Sequence, residues 1–173
     1  MTKEQLQSII GIGLGDSKLT ILTDAINKVC TKYEINTKLR LCHFLAQLIH
    51  ESGTFKYNTE IASGAAYEGR RDLGNIMPGD GIKFKGRGYI QITGRTNYKA
   101  LSIALGVDFI VNPLLLADNP WNMLSAGWYW NDRKLNFWAD KDNINTITRK
   151  INGGLNGLKY RQFWLTKCKE VLS

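Results

Sequence analysis

Thr37-Lys38-Leu39-Arg40-Leu41-Cys42-His43-Phe44-Leu45-Ala46-Gln47-Leu48-Ile49-His50-Glu51-Ser52 places Leu41, Phe44, Leu45, Leu48 and Ile49 at helical spacing. An apolar stripe of that period predicts an amphipathic helix over 37–52, with Gly53 standing where a C-terminal cap falls. Glu51 follows Phe44 by seven positions and Leu48 by three, so it lies at the edge of the stripe in the last turn. An apolar edge and the negative end of the helix dipole both disfavour an ionised carboxylate. A general acid working near neutral pH needs that setting.

A second carboxylate, Glu60, follows nine positions later. It opens a segment, 54–82, that reads as irregular from Gly64, Gly69, Gly74, Pro78, Gly79 and Gly81. A loop of that length is either functional or disordered. Because it carries Glu60 and joins two candidate segments, it reads as the wall of a cleft. Glu68 and Asp72 share the loop, and Glu68 stands next after Glu60 as a candidate base. Beyond it runs Lys85-Gly86-Arg87-Gly88-Tyr89-Ile90-Gln91-Ile92-Thr93-Gly94-Arg95-Thr96-Asn97-Tyr98. Over 84–93, Tyr89, Gln91 and Thr93 alternate with Ile90 and Ile92, which predicts a short strand or hairpin arm. Its isoleucines would face the core while Gln91 and Thr93 look into the cleft. Two carboxylates beside a polar, glycine-punctuated run are minimal equipment for breaking a glycosidic bond. One protonates the leaving oxygen and the other activates water.

The other elements read as helices at 3–10 and 17–32 around Gly11-Ile12-Gly13-Leu14-Gly15, a cluster without the Gly-Lys-Ser/Thr ending of a phosphate loop. Further helices are expected at Thr96–Leu105, stopped by Gly106, and after Asn119 as cap with Pro120 in the first turn. That second helix holds Trp121, Met123, Leu124, Trp128, Tyr129 and Trp130. A short helix over 143–151 ends at Asn152-Gly153-Gly154, and a basic one spans Leu158–Leu172. The expected fold is mainly α: one domain over 1–173 with a small β-hairpin flanking a catalytic cleft.

The 173 residues suffice for one domain with a hydrophobic core, and 43% apolar content excludes a disordered chain. A net charge of +8 favours anionic partners, among them nucleic acid, an acidic membrane face or a wall polymer. No nucleic-acid-binding motif stands out. Cys30, Cys42 and Cys168 make neither a disulfide framework nor a zinc site and read as reduced core thiols. The N-terminus lacks a signal-type pattern, and no segment is apolar enough to span a bilayer. His50 reads as a packed helix residue; His50-Glu51 lacks the second histidine of a zinc-protease motif.

In order, His50-Glu51-Ser52, Glu60, the 85–98 run, Asn152-Gly153-Gly154 and Arg161 resemble glycoside hydrolase family 19, the chitinase-like enzymes of the lysozyme superfamily. The stretch Ala65-Ala66-Tyr67-Glu68-Gly69-Arg70-Arg71-Asp72-Leu73-Gly74-Asn75, leading through Pro78-Gly79-Asp80-Gly81, is similar to the compact branch found as bacteriophage endolysins. The resemblance runs from about Leu39 to the C-terminus, and residues 1–36 add little to it. It implies a lysozyme-like fold, with Glu51 as general acid, Glu60 as general base and Thr93 positioning the attacking water. It also implies sugar contacts from Gln91 and Asn97, Asn152 facing the cleft, and Arg161 in the binding set as support for the carboxylates. Tyr98 and Trp121 are further candidates to stack on sugars. Asn152 before Gly-Gly equally suits a helix end, and Thr93 equally suits the cap of the next helix. The chain departs from plant members in Ser52-Gly53-Thr54-Phe55 where they have Thr-Thr-Gly-Gly, in a shorter acid-to-base gap, and in Tyr160 where an Asp often precedes the late Arg. These departures argue against crystalline or long chitin as substrate.

The resemblance implies hydrolysis of the β-1,4 bonds of peptidoglycan glycan strands with inversion and without metal or cofactor. The enzyme would be a monomer that waits in the host cytoplasm and reaches the wall after release. Its basic surface would meet the anionic envelope. A chitinase, a lytic transglycosylase using one acid and no water, and a non-catalytic glycan- or nucleic-acid-binding module are the alternatives.

Overall fold

The computed structural model describes residues 1–11 and 13–173; Ile12, within the predicted first turn, lies outside the described residues. Helix α1 (Lys3–Ile10) starts at a capping box: Gln5 N donates to Thr2 Oγ1 at 3.2 Å, and Thr2 N donates to Gln5 Oε1 at 2.8 Å. It buries Leu6, Ile9 and Ile10, and α2 (Asp16–Lys32) buries Leu19, Leu22, Ile26 and Val29. Thr37 caps α3 (Lys38–Glu51) by accepting from Arg40 N at 3.2 Å.

Every residue of α3 from Cys42 to Ile49 is buried, polar His43 and Gln47 included. A helix buried all round sits inside the molecule rather than on its surface. It stops sharply. Thr54 N donates to Ile49 O at 2.8 Å and Gly53 N to His50 O at 3.4 Å, with Gly53 at φ +55°, the pattern of a Schellman stop. Glu51 is therefore the last helical residue.

Residues 54–94 hold 3-10 turns at Ala65–Tyr67 and Arg71–Leu73 and one short helix, α4 (Asp80–Lys83). The predicted strand over 84–93 is a tighter object. Arg87 and Ile92 exchange backbone hydrogen bonds of 3.1 and 2.8 Å around the four-residue loop Gly88–Gln91, and Arg87 also bridges Thr59 in the antiparallel sense. The hairpin is thus present as one bridged pair. Its residues do not alternate at period two, because Gln91 turns the chain at φ +56°. Ile90 and Ile92 are still buried, since the loop folds back on the core.

Then follow α5 (Arg95–Leu105), ended by Gly106 at φ +68°, a 3-10 turn over Pro113–Ala117, and α6 (Trp121–Asp132). Pro120, not Asn119, is the N-cap of α6, and Leu124 N donates to its carbonyl at 3.0 Å. Helix α7 (Leu135–Ala139) was not anticipated, five residues being too few to show a period. Asn143 caps α8 (Ile144–Asn152) through Thr146 N at 2.9 Å, and Gly153 ends it at φ +75°. The last helix is α9 (Leu158–Val171).

Helix α3 lies along α9; α1 packs on both α2 and α9, and α2 packs on α6. Residues 1–36 therefore share the core that holds the late helix. Cys30, Cys42 and Cys168 are free, and burial pushes the Cys42 thiol up to about 11. Among the described residues no helix is long and apolar enough to cross a membrane.

The α2–α6 contact depends on Gly127, where a Cβ would lie 2.4 Å from both Tyr33 Cδ2 and Val29 Cγ1. Gly127→Ala is expected to destabilise the fold by about 1–3 kcal/mol despite the better helix propensity of alanine. Urea unfolding with an unchanged m-value would show this.

Candidate active site

Glu51 ends α3 with its side chain 21% exposed, facing Arg161 on α9. Arg161 is only 2% exposed. Its Nη2 donates to Glu51 Oε1 and its Nη1 to Gln47 Oε1, each at 2.5 Å, and its Nε donates to Asn156 O at 3.4 Å. Gln47 and Glu51 are one helical turn apart, so one guanidinium fork spans both. Arg161 is thus a support beneath the carboxylate. It also brings a countercharge that the helix-end reading of Glu51 did not include.

Glu60 is held differently. Its backbone N donates to Gly86 O at 2.9 Å, and Gly88 N donates to Asn58 O at 2.8 Å, which clips the loop to the hairpin. Its carboxylate accepts from Tyr67 Oη at 2.9 Å and from Gly86 N at 3.0 Å. Burial first, and then the bond to Glu60, raises the Tyr67 phenol above its usual range, so it stays a donor. Lys85 Nζ donates to the carbonyls of Glu60 and Ala62 at 3.0 and 3.1 Å.

The rest of the loop is fastened by polar contacts. Arg95 pairs with Asp80 at 2.5 and 2.8 Å and holds that carboxyl below the usual carboxylate range. Asn75 links Tyr67 O to Arg95 N, each at 2.9 Å. Glu68, the alternative base, accepts from Gly79 N at 2.7 Å and Gly81 N at 2.8 Å. Those two bonds close the loop, and Asp72 pairs with Arg70.

Gln91 and Thr93 converge with Glu60 on Gly86. A Cβ on Gly86 would lie 2.7 Å from Gln91 Oε1, 3.2 Å from Glu60 Oε2 and 3.3 Å from Thr93 Oγ1. The missing side chain leaves these three polar groups a common space. Thr93 Oγ1 donates to Gln91 O at 3.0 Å, and Asn97 Nδ2 donates to Thr93 O at 2.7 Å. Tyr98 does not belong with them. It is fully buried, donating to Lys85 O at 2.8 Å and accepting from Arg87 at 2.9 Å, so no sugar can stack on it. Trp121 packs on Phe109 at 5.8 Å. Asn152 is exposed and donates to Asn156 O at 3.2 Å, closing the 152–157 loop.

Sequence reasoning missed Gln47 and Tyr67. Gln47 carried a signal, a polar residue one turn before Glu51 inside an apolar run; Tyr67 carried none. Among the described residues no cluster suits a metal ion. A groove of 460 Å³ between α2 and residues 119–122 includes neither Glu51 nor Glu60 among its lining residues.

The family described as chitinase class I, glycoside hydrolase 19, matches residues 37–147. A Haemophilus influenzae protein described as containing a glycosyl hydrolase family 19 domain is 33% identical over 169 residues, covering 79% of this chain and 82% of that one. An Arabidopsis thaliana endochitinase is 39% identical over 119 residues, and the chain spans only 40% of its length. Among solved structures, a bacterial family 19 chitinase aligns with TM-score 0.78 at 21% identity over 99% of this chain and 94% of its own. Chitinase C from Streptomyces griseus aligns with TM-score 0.76 at 24% identity over 99% of this chain and 76% of its own. At those identities the likeness concerns the fold. The family match ends before Asn152 and Arg161.

Arg161→Ala is expected to cost about 3 kcal/mol, the low end for a broken buried pair, because Glu51 keeps some water; chemical denaturation measures it. Tyr67→Phe removes one of two donors to Glu60 and is expected to lower kcat about tenfold, at the scale of one lost charge-assisted hydrogen bond. Its melting temperature should stay within a few degrees of wild type.

Proposed function

The chain belongs to glycoside hydrolase family 19, and on that footing we propose that it cleaves the β-1,4 bonds of peptidoglycan by a single displacement with inversion. Glu51 protonates the glycosidic oxygen. Glu60 takes a proton from a water on the opposite face of the sugar, and Thr93 holds that water. The observation that carries this assignment is the common space of Glu60, Gln91 and Thr93 around Gly86. Glu51 rests on a buried guanidinium, and Glu60 accepts from a phenol and an amide beside Gln91 and Thr93. Inversion calls for carboxyl groups roughly 6.5–9.5 Å apart, with space for water between them.

Charge supports peptidoglycan as the polymer. Residues 143–169 contain Arg149, Lys150, Lys159, Arg161, Lys167 and Lys169 and no Asp or Glu. This stretch brings Arg161 to Glu51. The peptide stems of peptidoglycan carry carboxylates that a basic surface attracts, whereas chitin is uncharged. In this reading the enzyme is an endolysin that meets the wall once the host membrane is breached. The second reading, a chitinase with the same chemistry, is supported by plant relatives named as endochitinases.

Wild type is expected to clear outer-membrane-permeabilised Gram-negative cells and to release muropeptides with reducing ends. Glu51→Gln should clear them about 10²–10⁴-fold more slowly. Equal clearing by both proteins removes Glu51 as the acid. Cleavage of chito-oligosaccharides alone selects the chitinase. Activity retained in Glu60→Gln, with anhydro-muramic ends, selects the transglycosylase.

A further inference from the structure

Each member of the Glu51–Arg161 pair is preceded in sequence by an aromatic ring, His50 before Glu51 and Tyr160 before Arg161. These rings stack, with centroids 6.3 Å apart and planes 25° from parallel. Arg161 is buried, whereas Tyr160 is 67% exposed. Gly157 closes the loop against the imidazole. A Cβ there would lie 2.2 Å from His50 Nε2, and the residue sits at φ +73°. The backing ring is therefore fixed by its surroundings. Burial, then the neighbouring Arg161 charge, lowers the His50 pKa, so the ring Tyr160 leans on is uncharged at neutral pH.

A scattered exposed tyrosine needs no explanation. This one is braced from behind by a second ring and stands one residue from the guanidinium that grips the proposed acid. The C–H face of a pyranose is apolar, and ligand sites match such faces with aromatic rings and fix them with a few polar groups. Resting on the glycosidase reading above, we propose that Tyr160 is a specificity-determining residue whose outer face stacks on the amino sugar next to the bond that Glu51 protonates. His50 acts as the rigid backing. Such a contact is made alike in ground and transition states, so it governs KM more than kcat.

The test is glycan binding by a catalytically silenced Glu51→Gln chain, followed by intrinsic tryptophan fluorescence with N-acetylglucosamine tetramer and with peptide-stripped peptidoglycan glycan. Kinetics in the Glu51 background run alongside. Tyr160→Ala is expected to weaken binding and raise KM about 3- to 10-fold, the scale of one aromatic stacking contact, with kcat and melting temperature unchanged. Tyr160→Phe should restore both values. Phe163→Ala removes a ring 56% exposed one turn further along the same helix and should change neither. Wild-type binding in Tyr160→Ala, or an equal loss in Phe163→Ala, overturns the proposal while leaving the glycosidase reading intact. Absence of both glycan binding and cleavage in the unmutated chain overturns the two together.

Discussion

A single buried guanidinium joins α3, α9 and the loop before α9. Moving a charge out of water costs several kcal/mol unless acceptors meet it with good geometry. Arg161 finds its acceptors on Gln47, Glu51 and Asn156. Two of these lie on α3 and the third on the loop that precedes α9, so the helix pair and the loop must arrive in one arrangement. That requirement accounts for an amide in an otherwise apolar run. The helix ends immediately after its carboxylate, at the Gly53 stop.

The second carboxylate follows another rule. Glu60 lies on irregular chain, and its place is set by backbone pairing with Gly86 and by the staples of Asn75, Asp80, Glu68 and Arg95. Tyr98 ties this segment to the core by joining Lys85 O and Arg87 beneath the hairpin. One carboxylate is thus fixed by helix packing and the other by a loop fastened with hydrogen bonds and an ion pair. The two groups are held through separate mechanical routes.

Helices with a clear apolar period were legible in the sequence to within a residue or two, as α1, α2, α5 and α9 show. What escaped was short or set from a distance. Five residues of α7 show no period. Alternation around Gln91 suggested a strand, yet the chain turns there, because a run of mixed polarity looks the same whether pairing or a turn buries its isoleucines. The family was legible from motif order. Of the candidate residues, Glu60, Gln91 and Thr93 share one space around Gly86. Tyr98 was misplaced because a motif fixes neighbours in sequence and says nothing of which way a helical side chain faces. The partners of the two glutamates come from Tyr67 and Arg161. The second lies 110 positions from its carboxylate, a distance no local pattern reports.

That separation has a consequence in time. A chain made from its N-terminus presents Glu51 well before the arginine that completes its surroundings exists. At ordinary rates of synthesis the interval is about 5–20 s. Throughout it, α3 lacks the helix it packs along, and its buried amide and its carboxylate have no cation to receive. The nascent protein therefore carries a carboxylate with unfinished surroundings, and α9, made later, is the helix that finishes them.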